Sequence, residues 1–97
     1  MTRVAKYVQL TARPEREAEL LTRLAAVQQA AAEEPGTDIW ILHTVPGQPN
    51  TYAMYEIYRD EQASAEHEQL PALRELLPEL NDMLVEPFTL VALEEKL

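Results

Sequence analysis

Two side chains, Glu56 and His67, are candidates for removing a proton from a ligand. Glu56 stands between Tyr55 and Ile57 in an apolar run, where a carboxylate is costly unless it faces water, a partner or a ligand. A histidine gains and loses a proton near neutral pH, which suits a general base. Each residue also has a structural interpretation, as a hydrogen-bonded or edge-exposed carboxylate and as a solvated or packed imidazole. We treat both as candidate catalytic residues.

Four large side chains share the strand parity of Glu56. If they lie on one face, they form a stripe of aromatic and polarizable groups that suits a flat apolar ligand. The same stripe is also compatible with a core or a dimer interface. The candidate substrate-binding residues are Trp40, Tyr52, Met54 and Tyr58.

Several other chemistries lack the residues they need. The chain has no cysteine, and its two histidines, His43 and His67, do not have metal-ligand spacing; a metal site requires three or four convergent ligands. The two glycines, Gly36 and Gly47, form no phosphate-binding loop. Ser64 is not in a nucleophile-elbow sequence. We therefore expect no metal and no nucleotide cofactor.

The charge of the chain limits its partners. A formal net charge of -9, spread along the sequence, argues against nucleic acid and anionic lipid, which require patches of Lys and Arg. The N-terminus lacks the apolar core of a secretion signal, and no run is long enough to span a membrane. We expect a cytoplasmic protein with a small apolar or aromatic ligand.

The elements that must position these residues follow in a recognisable order. We predict strands over 3–12, 37–45, 51–59 and 85–93, a helix from Pro14 to about residue 33, a short helix over 61–69 capped by Asp60, and a third helix from Pro71 that Pro78 kinks or divides. Placing Val45 opposite Thr51 sets Trp40 opposite Glu56. This order predicts one α+β domain over 1–97 with a ferredoxin-like βαββαβ topology and a four-stranded antiparallel sheet.

The strands are apolar on both faces. In the first strand Val4, Val8 and Leu10 share one face, while Ala5 and Tyr7 share the other. Helices cover only one face of such a sheet, and a face in water would be polar. A homodimer that packs the two sheets face to face is the simplest cover; the alternative is a monomer with an apolar exposed sheet.

Two strings of residues carry a family resemblance. The first is Glu34-Pro35-Gly36-Thr37, followed by Trp40. The second is Tyr55-Glu56-Ile57-Tyr58, followed by Asp60, Ala63 and His67. Together they resemble the antibiotic biosynthesis monooxygenase (ABM) family over nearly the whole chain.

The resemblance implies a dimeric α/β barrel with a ligand cavity between sheet and helices in each subunit. Members of that family include cofactor-independent monooxygenases of quinols and anthrones, in which the deprotonated substrate donates an electron to oxygen. The haem-degrading branch uses an Asn, a Trp and a His where this chain has Tyr7, His67 and a stretch without histidine over 70–81. The resemblance therefore favours the cofactor-independent branch, with Glu56 and His67 at the matching positions.

Two other functions stay open at this point. One is a non-catalytic binding protein of the same fold, which would bind a small ligand and form no product. The other is an isomerase of a small metabolite, for which we would expect more cationic groups near the cavity than Arg59 and Arg74. Oxygen uptake with a suitable substrate distinguishes the oxygenase from both.

Overall fold

Four strands form one sheet in the computed structural model, which describes residues 2–97. They are β1 (Val4–Thr11), β2 (Thr37–Thr44), β3 (Thr51–Tyr58) and β4 (Thr89–Glu94). Their spatial order is β2-β3-β1-β4, and every neighbouring pair is antiparallel. The predicted ferredoxin-like α+β architecture is confirmed.

Three helices lie between the strands along the chain. They are α1 (Glu17–Ala31), which a 3-10 turn precedes, α2 (Glu61–His67) and α3 (Pro71–Leu80), which a second 3-10 turn follows. The buried face of α1 carries apolar residues at helical spacing, namely Leu20, Leu24, Val27 and Ala31. No helix in residues 2–97 has the length and apolarity to cross a bilayer.

The start of α2 is fixed by two local interactions. The Asp60 carboxylate accepts a hydrogen bond from the Ala63 backbone N–H at 2.8 Å, as the N-cap prediction requires. Gly36, at the junction between α1 and β2, lies so close that a Cβ built on it would be 2.5 Å from the Ala63 Cβ. These contacts hold the short helix against the turn that precedes β2.

The structure excludes one of the two alternatives predicted at Pro78, and one predicted strand boundary is wrong. Helix α3 continues through Pro78 to Leu80, so this proline does not divide it. The last strand begins at Thr89 rather than Val85. Leu84 forms an isolated bridge with Ala12, and the chain then leaves the sheet until Thr89, a gap that includes Pro87, which has no N–H to donate to a ladder.

The register of the sheet defines its two faces. Trp40 pairs with Glu56 as predicted, Glu56 pairs with Lys6, and Lys6 pairs with Ala92, so these four residues form one row on the helix side. The opposite face carries a second row across all four strands. It consists of Ile41, Tyr55, Tyr7 and Val91, each of them exposed.

Candidate active site

A cavity of about 110 Å³ lies between the helix side of the sheet and the helices. The sheet contributes Lys6, Trp40, Met54 and Glu56 to its lining, and α2 contributes His67. The remaining wall is mostly apolar and comes from α1, α3 and the residues around the start of β4, including Leu24, Val27, Leu73, Leu76, Phe88 and Leu90. The cavity thus combines an apolar enclosure with a few polar groups, as ligand sites do.

His67 is held in place by a carboxylate from another part of the chain. Its side chain is 3% exposed, and its Nδ1 lies 2.8 Å from Glu34 Oε1. The same Glu34 oxygen accepts a hydrogen bond from the Thr37 hydroxyl at 3.0 Å. An ionised carboxylate can only accept, so His67 Nδ1 carries the proton. In the neutral ring, Nε2 is then left with its lone pair.

The second ring nitrogen of His67, Nε2, lies on the side of Glu56. It lies 4.0 Å from Glu56 Oε1, beyond hydrogen-bond distance, and it makes no hydrogen bond. Within residues 2–97 no fully buried side-chain nitrogen or oxygen lacks a partner. His67 is among the residues that line the cavity, and its side chain is 3% exposed. This geometry presents a proton acceptor to a ligand.

Glu56 is fixed by Tyr58, two residues along β3. The Tyr58 hydroxyl donates to Glu56 Oε1, and the Tyr58 ring packs at 5.1 Å from the His67 ring, tilted by 49°. Burial raises the pKa of Tyr58, and the negative charge of Glu56 raises it further. Tyr58 therefore stays protonated and keeps donating.

The structure brings together most of the predicted site residues. Glu56, His67, Trp40 and Met54 all line the cavity. Tyr58 donates its hydroxyl hydrogen bond to Glu56 and does not itself line the cavity.

Tyr52 also lies outside the lining, because it is directed elsewhere. Its hydroxyl donates to a Glu17 carboxylate oxygen at the start of α1, and this hydrogen bond raises the pKa of Tyr52. Tyr52 thus links the start of α1 to β3 by a hydrogen bond and does not line the cavity.

The sequence analysis missed three polar residues of the site. Glu34 appeared only within the family string, although its carboxylate holds His67. Lys6 and Glu68 also line the cavity. The sequence pattern could have identified Lys6, because it lies on the same face of β1 as Val4 and Val8 and places a charge among buried residues. Glu68, just beyond α2, had no such signal.

The acidic groups of the site are too dispersed to hold a metal ion. Within residues 2–97, no three side chains of His, Asp or Glu are placed so that they could bind one metal. The polar groups of the cavity are instead a base, carboxylates and one lysine.

The sequence of residues 3–78 matches the family model for antibiotic biosynthesis monooxygenase. The chain belongs to this family. Three residues of the family strings, Trp40, Glu56 and His67, line the cavity, and Glu34 contacts His67 from outside it. No curated protein matches the sequence.

Solved structures agree on the ABM fold. Rv0793 of Mycobacterium tuberculosis superposes with a TM-score of 0.89 at 21% identity, covering 97% of this chain and 95% of that one. A candidate antibiotic biosynthesis monooxygenase from Deinococcus radiodurans gives 0.85 at 24% identity, covering 96% and 92%. NE2512 of Nitrosomonas europaea, a protein of unknown function, gives 0.79 at 28% identity, covering 100% and 95%.

Proposed function

We propose that this ABM protein is a monooxygenase that oxidises a single-ring phenol or quinol with molecular oxygen, and that His67 is its general base. The observation that carries this proposal is the state of the His67 ring. Nδ1 lies 2.8 Å from Glu34, Nε2 makes no hydrogen bond, and His67 lines the cavity. A base held by a carboxylate at one nitrogen and open to substrate at the other is suited to proton transfer.

The size of the cavity supports a ligand with one ring. An apolar cavity of about 150 Å³ in another protein binds benzene, and the cavity here measures about 110 Å³. Trp40 and Met54 lie in its wall and offer the flat and polarizable surfaces that an aromatic ring prefers. An anthrone, with three fused rings, would have to extend through the mouth.

The chemical step uses the electrons of the substrate. His67 Nε2 takes the phenolic proton, and the phenolate donates one electron to O2. The radical and superoxide combine, forming a C–O bond at the adjacent ring carbon. The proton on that carbon moves to the outer peroxide oxygen as the O–O bond breaks, which leaves a carbonyl group and hydroxide. The hydroxide takes the proton held by His67 and becomes water. Hydroquinone plus O2 thus becomes a hydroxyquinone plus water, and no bound cofactor supplies electrons.

Glu56 has a positioning role in this proposal. Tyr58 occupies one of its oxygens, and Glu56 is buried at the base of the cavity. Its second oxygen is free to accept a hydrogen bond from a further hydroxyl of a quinol. This contact would orient the ring so that the reacting hydroxyl faces His67.

The proposal includes a homodimer. Ile41, Tyr55, Tyr7 and Val91 form a continuous apolar row on the sheet face that carries no helix. Soluble monomers seldom leave large contiguous apolar patches exposed. Two copies packed through this face would cover it without obstructing the cavity, which lies on the other side of the sheet.

Oxygen uptake with hydroquinone tests the function. We expect His67→Gln to lower the catalysed rate by about 100-fold or more, in the range of a lost general base. Glu56→Gln should lower the rate by a smaller factor, because it weakens only the contact that orients the ring. His43→Gln is the matched control, because His43 is the other histidine and lies exposed on β2. Undiminished turnover in both site variants contradicts the assigned roles. Binding of phenols without any oxygen uptake would instead establish a binding protein.

A further inference from the structure

We propose that Lys6 binds the ionised oxygen of the substrate. In the free protein Glu68 forms an ion pair with Lys6, and the substrate oxygen displaces the Glu68 carboxylate. This inference rests on the proposed function, since it concerns the phenolate that His67 would generate. It assigns to the cavity a preference for the ionised form of a phenol over a neutral ring of similar shape.

The position of Lys6 is unusual for a lysine. The chain has two lysines, Lys6 and Lys96, and Lys6 lies in mid-strand on the helix side of β1. It stands in the row between Glu56 and Ala92. Its side chain is 18% exposed, so most of the aliphatic stem is buried. Lys6 is also the one Lys or Arg among the residues that line the cavity.

The ammonium group of Lys6 is held by contacts that a ligand can replace. Nζ lies 3.1 Å from Glu68 Oε1, and the Glu68 side chain is 56% exposed. Glu68 lies just beyond the end of α2 and lines the cavity as well. Water solvates the half-exposed Glu68 carboxylate well, so this ion pair contributes little to stability. Glu68 can therefore turn into solvent at small cost when another anion approaches Lys6.

The charges around the cavity require a cation for phenolate binding. Glu34, Glu56 and Glu68 all contact or face the site and repel a second negative charge. Glu34 compensates the positive charge that His67 gains as it takes the proton. Lys6 is then left to compensate the phenolate oxygen, and its Nζ lies 5.4 Å from the centroid of the Tyr58 ring, which itself packs against His67.

Binding of two isosteric probes tests the role of Lys6. The probes are 4-nitrophenolate, buffered so that it is ionised, and nitrobenzene, which is neutral; both quench the fluorescence of Trp40 in the cavity wall. We expect Lys6→Met to weaken 4-nitrophenolate binding by about tenfold or more, the range of a lost charge-assisted hydrogen bond. Nitrobenzene binding should change less than twofold. Lys96→Met is the control for the change in net charge.

Glu68→Gln gives a result of the opposite sign. Removing the competing carboxylate leaves Lys6 free, so we expect 4-nitrophenolate to bind several-fold more tightly than to the wild type. Glu66→Gln removes the same charge from an exposed position on α2 and should leave binding unchanged. A purely structural Lys6–Glu68 pair predicts instead that both site variants weaken both probes alike.

The outcomes separate this inference from the proposed function. If the wild type binds neither probe, the cavity is not a site for single-ring ligands, and both proposals are wrong. If both probes bind but Lys6→Met affects them equally, or Glu68→Gln weakens the phenolate, only the role of Lys6 is wrong. Selective loss in Lys6→Met together with a gain in Glu68→Gln supports the inference.

Discussion

His67 lies between two carboxylates that act on different sides of its ring. Glu34 accepts from Nδ1 at 2.8 Å, while Glu56 stays 4.0 Å from Nε2. The short contact fixes the tautomer and the ring orientation, and the long one leaves room for a substrate proton. In the proposed mechanism, the reactivity of His67 depends on Glu34, an acidic residue that does not line the cavity.

Glu34→Ala should impair the base without removing it. The ring loses its anchor at Nδ1, so both the tautomer preference and the stabilisation of the protonated ring decline. We expect about a 10- to 100-fold lower rate of quinol oxidation, measured by oxygen uptake. Glu33→Ala, which removes the neighbouring exposed carboxylate, is the control. Equal rates for these two variants would contradict the role of Glu34.

Tyr58→Phe should change how stability depends on pH. Burial raises the pKa of Tyr58 above the value of about 10 that holds in an unfolded chain, so folding favours its protonated form. This contribution is complete below about pH 10 and declines as pH rises further, because the unfolded state then releases the proton more readily. Urea unfolding at about pH 9 and about pH 11 should show a smaller decline for the variant than for the wild type.

The same variant has a second expected effect at neutral pH. Glu56 loses a buried donor, which should lower the free energy of unfolding by about 1–3 kcal/mol. Tyr7→Phe, which removes an exposed hydroxyl, serves as the control for both measurements. Identical declines at high pH in the wild type and Tyr58→Phe would refute the proposed effect of burial.

Individual residues were predictable where a local pattern marked them. Glu56 stood out as a carboxylate in an apolar strand and His67 as a titratable group in a family string, and both line the cavity. The Glu34–His67 contact joins residues 33 positions apart, so it could not be read before the fold was known. The alternation of side chains along β3 correctly predicted which face of the sheet carries Tyr52. Whether a residue on that face reaches the cavity depends on its position along the strand, which the alternation does not give.

At the scale of elements, the geometry of the site depends on how α2 packs against the turn before β2. Gly36 has no side chain, and this allows Ala63 of α2 to approach that turn. The same approach brings His67, one turn later, against Glu34. Packing at Gly36 and geometry at His67 are therefore linked.

Gly36→Ala should destabilise the protein by about 1–3 kcal/mol, the range of an overpacked contact. Its Cβ would lie 2.5 Å from that of Ala63, so α2 must shift. Ala63→Gly alone should cost about 1 kcal/mol through helix propensity. The double variant should be more stable than the sum of the two losses predicts, as measured by urea unfolding. Additive losses would mean that the two residues do not collide.

Element boundaries were predictable where capping and turn residues act alone. The Asp60 cap and the hairpin register follow from local chemistry, and both are confirmed. Pro78 was expected to kink or divide α3, yet the helix continues through it. Leu76 and Leu80, buried on either side, stabilise the helix through packing that sequence alone does not reveal.

At the scale of the molecule, the two faces of the sheet differ in what they contact. The helix side holds the core and the cavity, and the other side presents an apolar row across all four strands. The strand order could be predicted from the element sequence. The occupant of the second face is beyond a single chain and is part of our proposal.

Ile41→Glu should convert the proposed dimer to a monomer. The substitution places a charge at the β2 end of the apolar row, next to Tyr55, where a carboxylate buried without a partner is costly. Sedimentation equilibrium should give twice the chain mass for the wild type and the chain mass, 11.0 kDa, for the variant. Val85→Glu is the control, because Val85 is equally exposed but lies outside the sheet. A monomeric wild type at micromolar concentration would contradict the dimer.

Oxygen labelling tests the central claim, His67-dependent monooxygenation in the cavity, most directly. Hydroquinone is turned over under 18O2, the product is reduced at once to the triol to stop exchange with water, and its mass is measured. We predict one 18O atom per product, formed at a rate that falls about 100-fold or more in His67→Gln. Product without label, or equal rates in the wild type and His67→Gln, would contradict the account.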